Sequence, residues 1–86
     1  MRGEVDEMPT PTQTLDCGGL YCPEPLFRTR RELDRLQPGE VLEVLADDPA
    51  AEEDLRRFAK RTGHEVVEAN WDQGTLRILI RKGAAG

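Results

Sequence analysis

Leu15-Asp16-Cys17-Gly18-Gly19-Leu20-Tyr21-Cys22-Pro23-Glu24-Pro25-Leu26 compresses a strand end, a tight turn and a helix start into one short stretch. Thr14, Leu15 and Asp16 read as a short first strand. Two consecutive glycines admit backbone angles that other residues resist, so Gly18-Gly19 marks a turn. Pro23 and Pro25 suit a helix only near its start, where missing amide hydrogens cost least. Leu26, Phe27, Leu33 and Leu36 then supply an apolar stripe, with Arg30 and Asp34 on other faces, until Pro38-Gly39 ends the helix.

Outward from this unit the signals repeat. Val41 to Ala46 is a compact aliphatic run with one acid, Glu43, and its length and β-branched content favour a central strand. Asp48 is placed to cap a second helix, Pro49 to take its first position, and Glu52, Glu53 and Asp54 to crowd its positive end. Leu55, Phe58, Ala59 and Thr62 form the stripe of that helix, and Gly63 is a C-terminal stop. Glu65 to Trp71 and Thr75 to Lys82 read as two strands joined around Asp72-Gln73-Gly74. The order strand, helix, strand, helix, strand, strand predicts a two-layer α/β domain, because each helix stripe needs a sheet to bury it.

The chain has 86 residues, enough for one small domain. Residues 1–13 carry no helical or strand period and read as a flexible leader; 14–83 form the domain and 84–86 a frayed tail. No run approaches a membrane span, and the start lacks a secretory signal, so a cytoplasmic protein is expected. A formal charge of -5 argues against nonspecific binding to a phosphate backbone. Arg28, Arg30, Arg31 and Arg35 nevertheless cluster, either as a solvated helix face or as a dock for an acidic protein surface. Two cysteines and one histidine, His64, suit neither a disulfide scaffold nor a structural zinc site. No phosphate loop, dinucleotide fingerprint or Cys-His catalytic pair is evident, and no metal or cofactor is expected.

The chemistry therefore gathers at Cys22. It falls at or just before the first turn of a helix, where free amides and the positive helix end favour a thiolate. Pro23 and Pro25 stiffen the backbone beneath it, while Glu24 partly offsets the effect. The expectation is a modestly acidic, accessible thiol, against the bland alternative of a small buried hydrophobe. For Cys17, at a strand end, the buried reading leads.

The Cys22-Pro23-Glu24-Pro25 motif, preceded by Leu15-Asp16 and Gly19-Leu20, resembles the TusA/SirA family of small sulfur-carrier proteins. Gln37-Pro38-Gly39-Glu40, Ala46-Asp47-Asp48-Pro49-Ala50 and Leu79-Ile80-Arg81-Lys82-Gly83 extend the likeness across roughly Thr14 to Gly83. The resemblance implies a βαβαββ fold with both helices on one face of a four-stranded mixed sheet. It implies that Cys22 accepts sulfane sulfur as a persulfide from a cysteine desulfurase or rhodanese-like donor. A downstream acceptor protein would follow, serving tRNA thiolation, sulfur oxidation or molybdenum-cofactor biosynthesis, with no direct nucleic-acid binding. Asp16, Gly19 and Pro25 would shape the active loop beside Pro23 and Glu24, and Arg28, Arg31, Arg81 and Lys82 are candidates for partner docking.

Some relatives carry a further cysteine in the second helix, where this chain has Ala59. Cys17 is an extra thiol beside the loop, which leaves room for a second reading, a thiol-disulfide module using Cys17 and Cys22. A third reading is a noncatalytic binding domain in which Cys22 serves packing.

Overall fold

A parallel strand pair needs a crossover between its members, and the first helix supplies it. The computed structural model describes residues 10–84. The order is β1 (Gln13–Cys17), α1 (Glu24–Asp34), β2 (Val41–Ala46), α2 (Ala51–Thr62), β3 (Glu65–Asp72) and β4 (Thr75–Arg81). The sheet runs β1-β2-β4-β3, with β1 parallel to β2 and the other pairs antiparallel. α1 packs on β1 and β2, α2 on β3 and β4, and the helices touch each other, so both lie on one face. The expected two-layer βαβαββ architecture is the one observed.

Period-two alternation decides which side chains enter the core. Leu42, Val44 and Ala46 of β2 and Leu76, Ile78 and Ile80 of β4 share the buried cluster with Cys17 of β1. The helices add Leu33, Leu36, Ala51, Leu55, Phe58 and Ala59. On the other face Glu43 pairs with Arg77 and accepts a hydrogen bond from Thr14 Oγ1 at 2.7 Å. The β3–β4 turn places both Gln73 and Gly74 at positive φ, 52° and 81°, the conformation of the tight turn that matches strand twist. Gly63 ends α2 in the left-handed region at φ 84°.

Three local expectations are corrected. Gln13, assigned to the leader, pairs with Leu42 in β1, and the Thr12 amide already donates to the Val41 carbonyl at 2.7 Å. Residues 1–9 of that leader, and 85–86 of the expected tail, lie outside the described residues. Phe27 was placed in the buried stripe of α1 but is 59% exposed. The buried positions are Pro25, Thr29 and Leu33, and Phe27 stands about 200° around the helix from Pro25. Finally, α2 begins at Ala51, so Pro49 occupies the turn before it. Asp48 serves that turn, accepting the Ala50 amide on Oδ1 at 3.1 Å and the Ala51 amide on its carbonyl at 2.9 Å.

Two stability predictions follow from this packing. Thr29 is fully buried, and its Oγ1 has no hydrogen-bond partner among the described residues. Thr29→Val removes that desolvated hydroxyl and is expected to stabilise the fold by ~1 kcal/mol, read as a higher urea midpoint at unchanged slope. A lower midpoint would mean that the hydroxyl is satisfied.

His64 Nδ1 accepts the Gly83 amide at 3.0 Å, a role only the neutral ring can fill. Burial first, then the charge of Lys82, holds its pKa below the ordinary value, with Asp34 opposing. The unfolded chain thus protonates more readily, so the contribution of His64 is complete above the ordinary imidazole pKa and fades as pH falls through the folded one. Glu43 and Glu52, both lowered from 4.5, act in a more acidic window. Melting temperature is expected to drop between about pH 7 and about pH 5, and His64→Asn, which keeps an acceptor oxygen, should flatten that slope. Equal slopes would assign the titration to another group.

Candidate functional site

Parallel pairing puts the C-terminal ends of β1 and β2 side by side, with Cys17 in register with Ala46. Each strand then turns toward its helix, and side chains from one turn hold the backbone of the other. Asp47 accepts the Gly19 amide on both carboxylate oxygens at 3.1 Å. Asp48 Oδ2 accepts the Cys22 amide at 2.9 Å. Asp16 Oδ1 takes the Gly18 amide at 2.9 Å, and the Leu20 amide closes on the Cys17 carbonyl at 3.1 Å. Gly19 has φ 80°, a conformation an L side chain would strain. The loop carrying Cys22 is therefore fixed by hydrogen bonds to three carboxylates.

Cys22 itself is exposed, immediately before the Pro23 cap of α1, and the Cys22–Pro23 peptide bond is cis. Its neighbours across a small cleft are Pro25, Leu26, Asp48, Ala51, Asp54 and Leu55. Those carboxylates overturn the expected acidity of the thiol. A hydrogen bond to Asp54 is the first cause raising its pKa above the ordinary 9.0, followed by desolvation and the charges of Asp54 and Asp48. The helix end offers little in return. Pro23 and Pro25 have no amide hydrogen, and the Glu24 amide already donates to the Tyr21 carbonyl at 2.9 Å. Glu24, expected to oppose ionisation, is paired with Arg28 at 3.3 Å, and Asp54 takes the role assigned to it.

Cys17 is fully buried in the core, and burial raises its pKa, with Arg28 opposing. Both cysteines are free. The four basic candidates do not converge. Arg28 and Arg31 lie together beside Leu15 and Glu32 on α1. Arg81 pairs with Val41, at the opposite end of β2 from Ala46, roughly 16 Å along the strand. Arg81 also donates to Glu65 at 2.8 Å, while Lys82 Nζ donates to the Leu36 carbonyl at 2.8 Å and so closes the chain after α1. Tyr21, next to Cys22 in the chain, is 71% exposed and Phe27 on α1 is 59% exposed, large apolar surface that charge alone did not reveal.

Asp47, Asp48 and Asp54 are the site residues missed as such. The usable signal was topological: the βαβ reading of Leu15 to Ala46 implies a crevice outside adjoining strand ends, where Asp47-Asp48 emerge. Among the described residues no group of three or more His, Cys, Asp or Glu side chains could hold a metal ion. Nor, among them, is any helix long and apolar enough to cross a membrane.

The Sulfurtransferase TusA family matches residues 13–82. A candidate sulfur carrier protein of Archaeoglobus fulgidus is 47% identical over 68 residues, covering 78% of this chain and 88% of that one. The crystal structure of a SirA-like protein from Desulfitobacterium hafniense aligns with a TM-score of 0.75 at 30% identity, over 84% of this chain and 99% of that one.

The electrostatic account of the thiol is testable. Asp54→Asn removes both the hydrogen bond to a carboxylate and the larger of the two charge effects on the thiol, so the pH midpoint for alkylation of Cys22 by iodoacetamide is expected to move down. An unmoved midpoint would place the cause elsewhere in the loop.

Proposed function

The chain belongs to the Sulfurtransferase TusA family, and on that premise we propose that it is a sulfur carrier loading a persulfide on Cys22. The observation that carries this reading is the division of labour between the two thiols. Cys22 is exposed on a loop tied down by hydrogen bonds, whereas Cys17 is sealed in the core. A thiol-disulfide module would ask Cys17 to exchange with solvent or a partner, and its burial argues against that. A noncatalytic role for Cys22 in packing is opposed by its exposure.

Transfer proceeds without net oxidation. The Cys22 thiolate attacks the outer sulfur of a donor persulfide; the bond between that sulfur and the donor cysteine breaks, and the electron pair leaves with the donor as a thiolate. Cys22 then bears a persulfide anion, and attack by an acceptor thiolate on its outer sulfur repeats the step in the forward direction. The proton of the resting thiol passes to Asp54 or to water. The partners are a cysteine desulfurase or rhodanese-like donor and a downstream acceptor protein, with tRNA thiolation among the uses of the sulfur. A cytoplasmic setting keeps the thiols reduced for this chemistry. The exposed Tyr21 and Phe27, with Arg28 and Arg31 on α1, are the side chains we assign to partner docking.

Incubation with a cysteine desulfurase and cysteine, followed by intact-mass measurement, tests the assignment. Native protein and Cys17→Ala are expected to gain one sulfur atom, and Cys22→Ser none, with its circular dichroism unchanged. Loading that persists in Cys22→Ser would overturn the role given to this residue.

A further inference from the structure

α2 has two working sides at its start. Ala51, Asp54 and Leu55 face the cleft beside Cys22, while Pro49, Glu52, Glu53 and Arg56 form one wall of a separate open groove of about 670 Å³. The other wall is Trp71 with Gly74, from the β3–β4 hairpin, and Asp47 closes the groove toward the thiol loop. Trp71 is 40% exposed, yet its ring is not loose: Nε1 donates to Glu52 Oε1 at 2.7 Å. Arg56 holds the other oxygen of Glu52 at 2.9 Å. That carboxylate is therefore satisfied, and the negative charge left over belongs to Asp47 and Glu53. Glu53 is 84% exposed, and its distance of 4.0 Å from Arg57 makes a weak surface pair.

The groove thus combines apolar surface on both walls, from Pro49 and Trp71, with the carboxylates of Asp47 and Glu53. A long cationic side chain matches both parts: its methylene stem lies on apolar surface while its head reaches the acids and the indole face. Acidic or neutral apolar segments satisfy only one part. We infer that this groove docks a Lys- or Arg-bearing segment of a sulfur-relay partner protein, outside the thiol cleft. The inference rests on the relay reading for the identity of the partner. Docking here leaves Cys22 uncovered for transfer, and it places a cation against Asp47, the same carboxylate that holds the Gly19 amide of the thiol loop.

Trp71 is the single tryptophan of the chain, so its fluorescence reports on the groove directly. The probe is a hexa-arginine peptide, titrated into the full-length protein carrying Cys22→Ser, with a hexaglutamate peptide as control. A saturable fluorescence change is expected with the cationic peptide alone. Glu53→Lys should weaken the apparent affinity roughly tenfold or more, about the 1.4 kcal/mol that a tenfold change represents. Glu65→Lys, an equal charge change at the far end of the sheet, should leave it within about twofold. No saturable change, or equal weakening by the two charge reversals, would overturn the groove and reduce any binding to general attraction by an acidic protein. Because the assay needs no sulfur on Cys22, its failure would leave the loading experiment, and the relay reading, untouched.

Discussion

The hydrogen bond from the Cys22 amide to Asp48 Oδ2 joins two segments separated by 26 positions in the chain. It can form only because β1 and β2 run parallel and deliver their ends to the same edge. Asp48 is itself buried, so its carboxylate needs partners, and it finds them in the Cys22 and Ala50 amides. One side chain thus shapes the turn into α2 and sets the height of the loop that bears the sulfur. Asp47 repeats the arrangement one residue earlier, on Gly19. The thiol is exposed, but the backbone beneath it is not free to wander.

That solution carries an electrostatic consequence. The groups that accept amide hydrogens best are carboxylates, and carboxylates beside a sulfur disfavour its anion. The helix end that would compensate is weakened by Pro23, Pro25 and the bond from Glu24 to Tyr21. Rigidity and a low thiol pKa therefore pull in opposite directions here.

Much of the architecture was legible because it depends on short-range chemistry. Val41 to Ala46 announces a buried strand by residue type, Gly63 announces a left-handed helix end, and Gln73-Gly74 a tight hairpin turn. Cys22 was legible for the same reason, through the glycine turn before it and the prolines after it. What escaped depends on groups brought together by folding. Asp54 is remote in the chain from Cys22, and Lys82 reaches a carbonyl 46 residues away. Phe27 was misplaced by residue type, because an aromatic near two leucines looks like core until its angle around the helix is counted. Its exposure makes more sense as contact surface than as a failed core position.

The charges beside the sulfur are acidic, and the basic side chains of α1 lie in a separate patch. α1 presents Arg28 and Arg31 beside Leu15 and Glu32, while Asp48 and Asp54 line the cleft of Cys22 and Asp47 and Glu53 the neighbouring groove. A carrier must meet two proteins in turn through one sulfur atom, and each must leave after transfer. Different contacts for donor and acceptor would let both share the reacting centre. A surface of one sign would favour whichever partner matched it and slow the exchange. The basic side chains are not gathered at the thiol: Arg56 and Arg57 lie on α2 and Arg77 and Arg81 on β4, each paired with a carboxylate.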